Sequence, residues 1–348
     1  MNEIKIKDRT IGGKNPCFII AEAGVNHNGD VDTAKKMIDA ANEAGADAVK
    51  FQTFIAEKLA TKKVGKADYQ KKDNDAGTQF DMLKKLELGR EHHAVLQNYC
   101  DEKGILFLST PFDTGSIDFL DSINIPAFKI SSGDLNNHPF LEHLASKNKP
   151  ILLSTGMSTM DEIRDAVNLI KEKGNNQIVL LHCVTAYPTP IEEANVRAML
   201  ELKKLGVNVV GFSDHTAGIY ASIAAAALGA SVIEKHYTLD RNMDGPDHAA
   251  SLEPGDLKDL VSAIRSVEAS LGTGEKIPMP SEKSNIIVAR KRIVAKRNIA
   301  SGKPIEMEDL DFKRSAEGLS PNKMRMIIGK KAAKDIAEDE GITPNMVE

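Results

Sequence analysis

Eight short apolar runs, separated by segments of helical period, leave this chain few ways to fold. The runs are Phe18–Ala21, Ala48–Phe51, Ile105–Leu108, Ala127–Ile130, Ile151–Leu153, Ile178–Leu181, Val207–Phe212 and Val232–Glu234. Each is rich in Ile, Val, Leu or Phe and lacks hydropathy alternation, the mark of a strand buried on both faces of a parallel sheet. Between them, Val31–Ala44 sets Ala34, Met37, Ile38, Ala41 and Ala44 on one stripe and stops at Gly45, a candidate C-cap. Met160–Lys173 does the same with Ile163, Ala166, Val167 and Ile170 before Gly174. Asp256–Leu271 follows with Leu257, Leu260, Val261, Ile264 and Val267 before Gly272. Further helices are expected after Phe112, Pro139, Pro190 and Gly218. Eight strand–helix pairs over about 250 residues predict an α/β fold of the (β/α)8 TIM-barrel type. A doubly wound open sheet would place a glycine-rich phosphate loop after the first strand. That strand instead runs into Glu22-Ala23-Gly24-Val25-Asn26-His27-Asn28-Gly29.

At 348 residues the chain exceeds one ordinary domain. After Gly272 the texture changes. Residues 273–285 (TGEKIPMPSEKSN) carry two prolines and little periodicity and read as a linker between a barrel domain over 1–272 and a small unit over 286–348. In that unit a strand is expected at Arg292–Ala295, a turn at Ser301–Pro304 and a short helix near Asn322–Ile328. A net charge of -5 gives no footprint for nucleic acid or an anionic membrane. No apolar run reaches the roughly 18 residues of a membrane span, and the charged Met1–Thr10 segment is no secretory signal. Cys17, Cys100 and Cys183 are odd in number and widely spaced, as reduced thiols of a cytoplasmic protein would be.

In a TIM barrel the site lies at the C-terminal ends of the strands, and all eight ends here carry polar groups. Glu22, Asn26 and His27 end the first, Lys50 and Gln52 the second, and Ser109 and Thr110 the third. Lys129, Ser131, Ser132 and Asp134 end the fourth, with Ser154 and Thr155 on the fifth. His182, Thr185 and Tyr187 end the sixth. Ser213, Asp214 and His215 end the seventh, and Glu234, Lys235 and His236 the eighth, with Asp244 and Asp247 beyond. A strand-end Ser or Thr is commonly a helix cap. Burying Lys50, Lys129 and Glu234 is costly unless they serve each other or a ligand. His215 and His236 end adjacent strands, with Glu22 on the next strand of a closed barrel. Two His and a carboxylate suit a catalytic divalent metal, and hydrogen-bonded active-site histidines are the alternative. Lys50, Lys129, Thr110, Ser132, Ser154 and Ser213 suit a phosphate or carboxylate. Gln52, Tyr187 and Asp247 suit sugar hydroxyls and an amide.

The motifs Ile20–Gly29, Val49-Lys50-Phe51-Gln52-Thr53-Phe54, Leu108-Ser109-Thr110-Pro111-Phe112 and Phe128-Lys129-Ile130-Ser131-Ser132-Gly133 resemble those of the sialic acid synthase family. So do Leu153–Met157, Tyr187-Pro188-Thr189-Pro190, Gly211-Phe212-Ser213-Asp214-His215, Glu234-Lys235-His236 and Gly245-Pro246-Asp247-His248. The similarity spans the chain in order, and residues 286–348 resemble the family's small, mostly-β SAF (β-clip, antifreeze-like) domain. The resemblance implies condensation of phosphoenolpyruvate with N-acetylmannosamine to N-acetylneuraminate and phosphate, using a divalent metal: Mn²⁺, with Mg²⁺ or Co²⁺ as alternatives. It implies His215 and His236 as metal ligands, and Lys50, Thr110, Lys129, Ser132, Ser154 and Ser213 around phosphoenolpyruvate. It places Glu22, Gln52, Tyr187 and Asp247 near the sugar and Glu234 among the acid–base groups. Arg314 would reach the sugar site of the partner in a domain-swapped homodimer. Asp134 stands where many members have Glu, and Thr185 where some have Asn; both are taken as substrate-binding. Ser315-Ala316-Glu317-Gly318 replaces a Pro-Gly-type turn after Arg314. Phe51 and Phe54 lean toward the branch of N,N'-diacetyllegionaminate synthases, whose acceptor is 2,4-diacetamido-2,4,6-trideoxymannose. Three further readings stay open: a class I aldolase with Lys50 or Lys129 as Schiff base, a 3-deoxy-aldulosonate synthase acting on a sugar phosphate, and a non-catalytic sugar-binding protein.

Overall fold

The computed structural model describes residues 3–66 and 77–348. The chain divides into two compact units, Met1–Gly272 and Thr273–Glu348. The first is a closed barrel of eight parallel strands: β3 (Phe18–Gly24), β4 (Ala48–Thr53), β5 (Leu106–Pro111), β6 (Phe128–Ile130), β7 (Ile151–Ser154), β8 (Ile178–His182), β9 (Val209–Asp214) and β10 (Val232–His236). β10 pairs with β3 and closes the ring. All eight strands fall on the eight apolar runs.

The helices stand where periodicity placed them, with local chemistry at their ends. α1 (Val31–Ala44) begins at Asp30, whose carboxylate accepts from Thr33 N, and stops at Gly45, φ 83°. α7 (Met160–Glu172) opens with a reciprocal Thr159–Glu162 capping box. α10 (Pro254–Leu271) buries Leu257, Leu260, Val261 and Ile264, while Val267 is only half-buried. α5 (Thr114–Ser122), α6 (His138–Ala145) and α9 (Tyr220–Ala227) complete the expected set. After Pro190 the helix is short, α8 (Ala198–Leu202), preceded by a 3-10 turn at Ile191–Glu193. Between β4 and β5 the described residues form three helices that the sequence reading did not name: α2 (Ala56–Leu59), α3 (Gln79–Leu86) and α4 (Arg90–Lys103).

Two hydrophobic layers hold the unit. The larger lies between strands and helices, with Ile19, Val49, Phe107, Leu153 and Ile233 facing Met37, Ile38, Leu96 and Ile264. The smaller fills the barrel itself with Phe18, Ile20, Leu106, Leu108, Leu152, Leu181 and Val232. A hairpin of β1 (Glu3–Ile6) and β2 (Arg9–Gly12), absent from the sequence reading, adds Ile4, Ile6 and Ile11 to this inner layer. It therefore plugs the N-terminal end of the barrel, opposite the site. Gly211 is required where β9 meets β10, because a Cβ there would lie 2.4 Å from the Val232 carbonyl oxygen. Among the described residues no helix is long and apolar enough to cross a membrane.

The second unit pairs β11 (Lys291–Ala295) with β12 (Leu310–Arg314) antiparallel. Its core includes Ile293, Ile299, Ile305, Ile327, Ile336 and Ile342. Buried Asp309 joins Arg297 at 2.7 Å and Lys303 at 2.8 Å. The helix expected near Asn322–Ile328 is a 3-10 segment, Pro321–Met326. α11 (Lys283–Ala289) begins inside the stretch expected to be linker. Ile11→Ala should destabilise the barrel by about 3 kcal/mol, because Ile11 is fully buried. Urea unfolding checks this, and a wild-type midpoint would show that the hairpin does not carry the plug.

Candidate active site

Two-residue periodicity carries each strand from a packed interior to a polar rim. On β3 the inward series is Phe18, Ile20, Glu22; on β4 it is Ala48, Lys50, Gln52; on β5 it is Leu106, Leu108, Thr110. Lys129 follows Ala127, and Ser154 follows Leu152. Val209 leads through Gly211 to Ser213 and His215, and Val232 leads to Glu234 and His236. These polar members line one cavity of about 320 Å³. Strand-end residues of the other parity face the helices. Asp214 accepts from Thr216 N and Oγ1, both at 2.8 Å, and from Ser222 Oγ at 2.6 Å, and it pairs with Lys235 at 3.1 Å. Ser109 bonds Thr53, which meets His93 Nε2 at 2.8 Å, and His182 Nε2 donates to the Ala194 carbonyl at 3.0 Å.

Four buried charges meet at the cavity floor. Lys50 Nζ lies 2.8 Å from Glu22 and 3.9 Å from Glu234, and donates to Thr110 Oγ1 at 2.9 Å. Lys129 Nζ lies 3.3 Å from Glu234, which also accepts from Ser213 Oγ at 2.9 Å. Burial pushes the Glu22 carboxyl up, against the pull of Lys50. Burial acts on Glu234 in the same direction, but Lys129, Lys50 and the Ser213 hydroxyl outweigh it and hold Glu234 low. Burial lowers Lys129, with Glu234 opposing. One carboxyl is thus poised to hold a proton while its neighbour stays ionised. Glu22 Oε2 and Glu234 Oε2 lack a well-aligned donor, and buried Ser154 Oγ has no hydrogen-bond partner. Orphans of this kind mark a place where a ligand supplies the partners.

His215 and His236 converge, their ring centroids 5.5 Å apart. Burial holds His215 down at about 4 and His236 well below the usual histidine range, so both rings are neutral at pH 7. His215 Nδ1 lies 2.7 Å from the Val184 carbonyl, which can only accept; the proton sits on Nδ1 and Nε2 carries a lone pair. His236 Nδ1 is buried without a partner. Neutral imidazoles with free lone pairs fit a divalent cation. Glu22 does not join them as expected. It turns to Lys50, and no group of three His, Cys, Asp or Glu among the described residues could hold a metal. The remaining coordination positions would fall to water or substrate.

Tyr187 lies against His215, with ring centroids 4.2 Å apart. Ser132 Oγ accepts from Gly156 N at 2.9 Å and meets Cys183 Sγ at 3.1 Å, beside Thr185. Gln52, Thr185, Tyr187 and Asp247 all line the cavity. Asp134 does not: it accepts from Asn137 Nδ2 at 3.2 Å, because the chain enters a 3-10 turn at Ser132 that carries it off the rim. Arg314 is exposed at the end of β12 in the second unit. The sequence reading missed Met157, Cys183 and an apolar wall of Val25, Leu59, Met82, Leu83, Leu86 and Phe112. A signal for part of that wall was present. Thr78 and Asp81 form a capping box ahead of the Met82, Leu83, Leu86 spacing.

The model described as NeuB family matches residues 37–276, and that of the SAF domain matches residues 290–348. The chain is 48% identical over 327 residues to the N,N'-diacetyllegionaminic acid synthase of Campylobacter jejuni, covering 93% of this chain and 98% of that one. It is 40% identical over 342 residues to the N-acetylneuraminate-9-phosphate synthase of Mus musculus, covering 98% and 95%. The solved N-acetylneuraminic acid (sialic acid) synthetase from Leptospira borgpetersenii shares 37% identity and a TM-score of 0.72, covering 82% of this chain and 95% of that one.

Burial alone raises the Asp247 carboxyl to about 6. From the ordinary aspartate value near 4 up to about 6, the folded chain keeps a proton that the unfolded chain has lost. Stability therefore falls as pH rises through that window, by about 3 kcal/mol in all. Asp247→Asn should remove this fall. Urea unfolding across the window checks it, and a pH-independent difference between variant and wild type would contradict it.

Proposed function

The chain belongs to the NeuB family, and from that premise we propose that it condenses phosphoenolpyruvate with an open-chain acetamido-mannose sugar, forming a nonulosonate and phosphate. It is a carbon–carbon bond-forming synthase. One observation carries the reading: two buried lysines and two neutral, lone-pair-bearing histidines share a single barrel mouth. N-acetylmannosamine and 2,4-diacetamido-2,4,6-trideoxymannose are the acceptors the two branches of the family imply.

In this reading His215 and His236 hold a divalent cation, Mn²⁺ with Mg²⁺ or Co²⁺ as alternatives. Bound there, the ion supplies Lewis-acid polarisation of an aldehyde oxygen. Lys50 and Lys129 bind the phosphate and carboxylate of phosphoenolpyruvate, and the Ser154 hydroxyl, free of other partners, donates to the same anion. The methylene carbon attacks the aldehyde carbon. Glu22, whose carboxyl burial raises against the pull of Lys50, is placed to give a proton to the new alkoxide. Water adds at carbon 2, giving one proton to the Glu22 carboxylate, and the tetrahedral carbon then expels phosphate by C–O cleavage beside the two lysines, the hydroxyl proton leaving with the phosphate. Glu234 stays ionised and fixes both ammonium groups. Gln52, Thr185, Tyr187 and Asp247 are left for the sugar. Arg314 and the swapped homodimer belong to the same proposal. Three buried, unpaired cysteines fit a reducing cytoplasm.

Phosphate release from phosphoenolpyruvate with either sugar should need Mn²⁺ and cease with EDTA. His236→Ala should abolish it with the fold retained by circular dichroism. Lys129→Ala should raise the KM for phosphoenolpyruvate roughly ten- to hundredfold and leave the sugar KM near wild type. Activity in the metal-free His236→Ala variant, or a larger effect of Lys129→Ala on the sugar, would overturn these assignments.

A further inference from the structure

We propose that Asn26 is a positioning residue for the sugar side of the mouth: its carboxamide, acting through the Ser251 hydroxyl, fixes the main chain of Asp247 and so sets where the Asp247 carboxyl stands. The inference rests on the role toward the sugar proposed above for Asp247. That side chain lines the cavity. No hydrogen bond or ion pair among the described residues holds its carboxyl, and burial by itself raises it. The aim of the carboxyl is therefore set by its backbone. That backbone belongs to a long excursion between β10 and α10, whose regular structure is a 3-10 turn at His248–Ala250.

Main-chain bonds close the neck of the excursion: Thr238 N donates to the Leu252 carbonyl at 2.8 Å, and Leu252 N to the His236 carbonyl at 2.9 Å. Beyond the neck, two side-chain ties reach back to the loop after β3. In one, His248 meets Thr238 Oγ1 at 2.6 Å and Asn28 Oδ1 at 3.3 Å. It packs so closely that a Cβ on Gly245 would lie 2.5 Å from its ring. The other tie runs through Asn26. Ser251 Oγ donates to the Asp247 carbonyl at 2.7 Å, which leaves the hydroxyl only lone pairs for a second partner. Asn26 Nδ2 donates to that oxygen at 3.0 Å and to the Tyr237 carbonyl at 2.9 Å. Both partners need a donor, so the amide can stand only one way round, and Asn26 Oδ1 is left buried with no partner. Aspartate, of the same shape, could donate to neither. Asn26 is 1% exposed, and leaving its oxygen unsatisfied is a cost that holding the facing loop explains.

The test measures KM with Mn²⁺ for phosphoenolpyruvate and for whichever of N-acetylmannosamine and 2,4-diacetamido-2,4,6-trideoxymannose releases phosphate faster. It uses Asn26→Ala, Ser251→Ala, the double variant and Asp247→Ala. Asn26→Ala and Ser251→Ala should each raise the sugar KM about tenfold, the scale of one lost hydrogen bond, and hold the phosphoenolpyruvate KM within about twofold. The double variant should be no worse than the worse single variant, because both changes cut one chain of contacts. A general loosening of the barrel would instead move both KM values together. If Asn26→Ala does not fold, Ser251→Ala decides the matter by itself. A wild-type sugar KM in Ser251→Ala, an equal rise in both KM values, or additive effects in the double variant overturns the relay. A wild-type sugar KM in Asp247→Ala overturns the sugar role of Asp247 and the relay with it. Phosphate release with neither sugar overturns the condensation itself.

Discussion

Closing eight parallel strands into a ring forces every second side chain into a space with no water and room for only a few layers. That constraint organises the whole first unit. The lower layers must be apolar and filled, and Phe18, Ile20, Leu108, Leu152 and Leu181 fill them. The open N-terminal end must be stoppered, and Ile4, Ile6 and Ile11 of the β1–β2 hairpin stopper it. With that end sealed, the same alternation delivers polar groups into the mouth at the other end. Gly211 marks where the packing allows nothing at all.

The mouth is costly. Lys50, Lys129, Glu22 and Glu234 are each at most 4% exposed, and desolvating such groups costs several kcal/mol apiece. Their mutual attraction offsets part of that and leaves Glu22 Oε2, Glu234 Oε2 and Ser154 Oγ without full partners. A fold selected for stability alone would fill the space with hydrocarbon. Outside the strands, by contrast, Asp214, Lys235, Thr216 and Ser222 form a satisfied buried network. The cluster in the mouth pushes two chemically equal glutamates apart, Glu22 up and Glu234 down. The two neutral histidines beside it add ring lone pairs to the same mouth.

The apolar side of the mouth is built from different material. The barrel strands carry the buried charges, whereas α2 and α3, inserted after β4, carry Leu59, Met82, Leu83 and Leu86 of the apolar wall. Loops and inserted helices can vary without disturbing the barrel.

Much of this was legible in the residues. Eight apolar runs gave eight strands, and the stripes on α1, α7 and α10 gave helices at those positions, because burial on both sides leaves a plain hydropathy signature. The polar residues at the strand ends were legible as a set. Which of them face inward was not: strands buried on both faces show no alternation, so Lys235 and Asp214 read like Lys50 and Glu234 until closure of the ring fixed the parity. Glu22 read as the carboxylate beside the two histidines, and only the register of β3 against β4, which sets Glu22 opposite Lys50, turned it to the lysines. Asp134 read as a strand-end group of the mouth, and its pairing with Asn137 in a 3-10 turn was not legible. The sequence by itself determined the barrel, its polar mouth and the kinds of chemistry available there. Only the tertiary structure decided which groups meet and which residues form the wall opposite, because those pairings depend on strand register and helix placement over long separations in the chain.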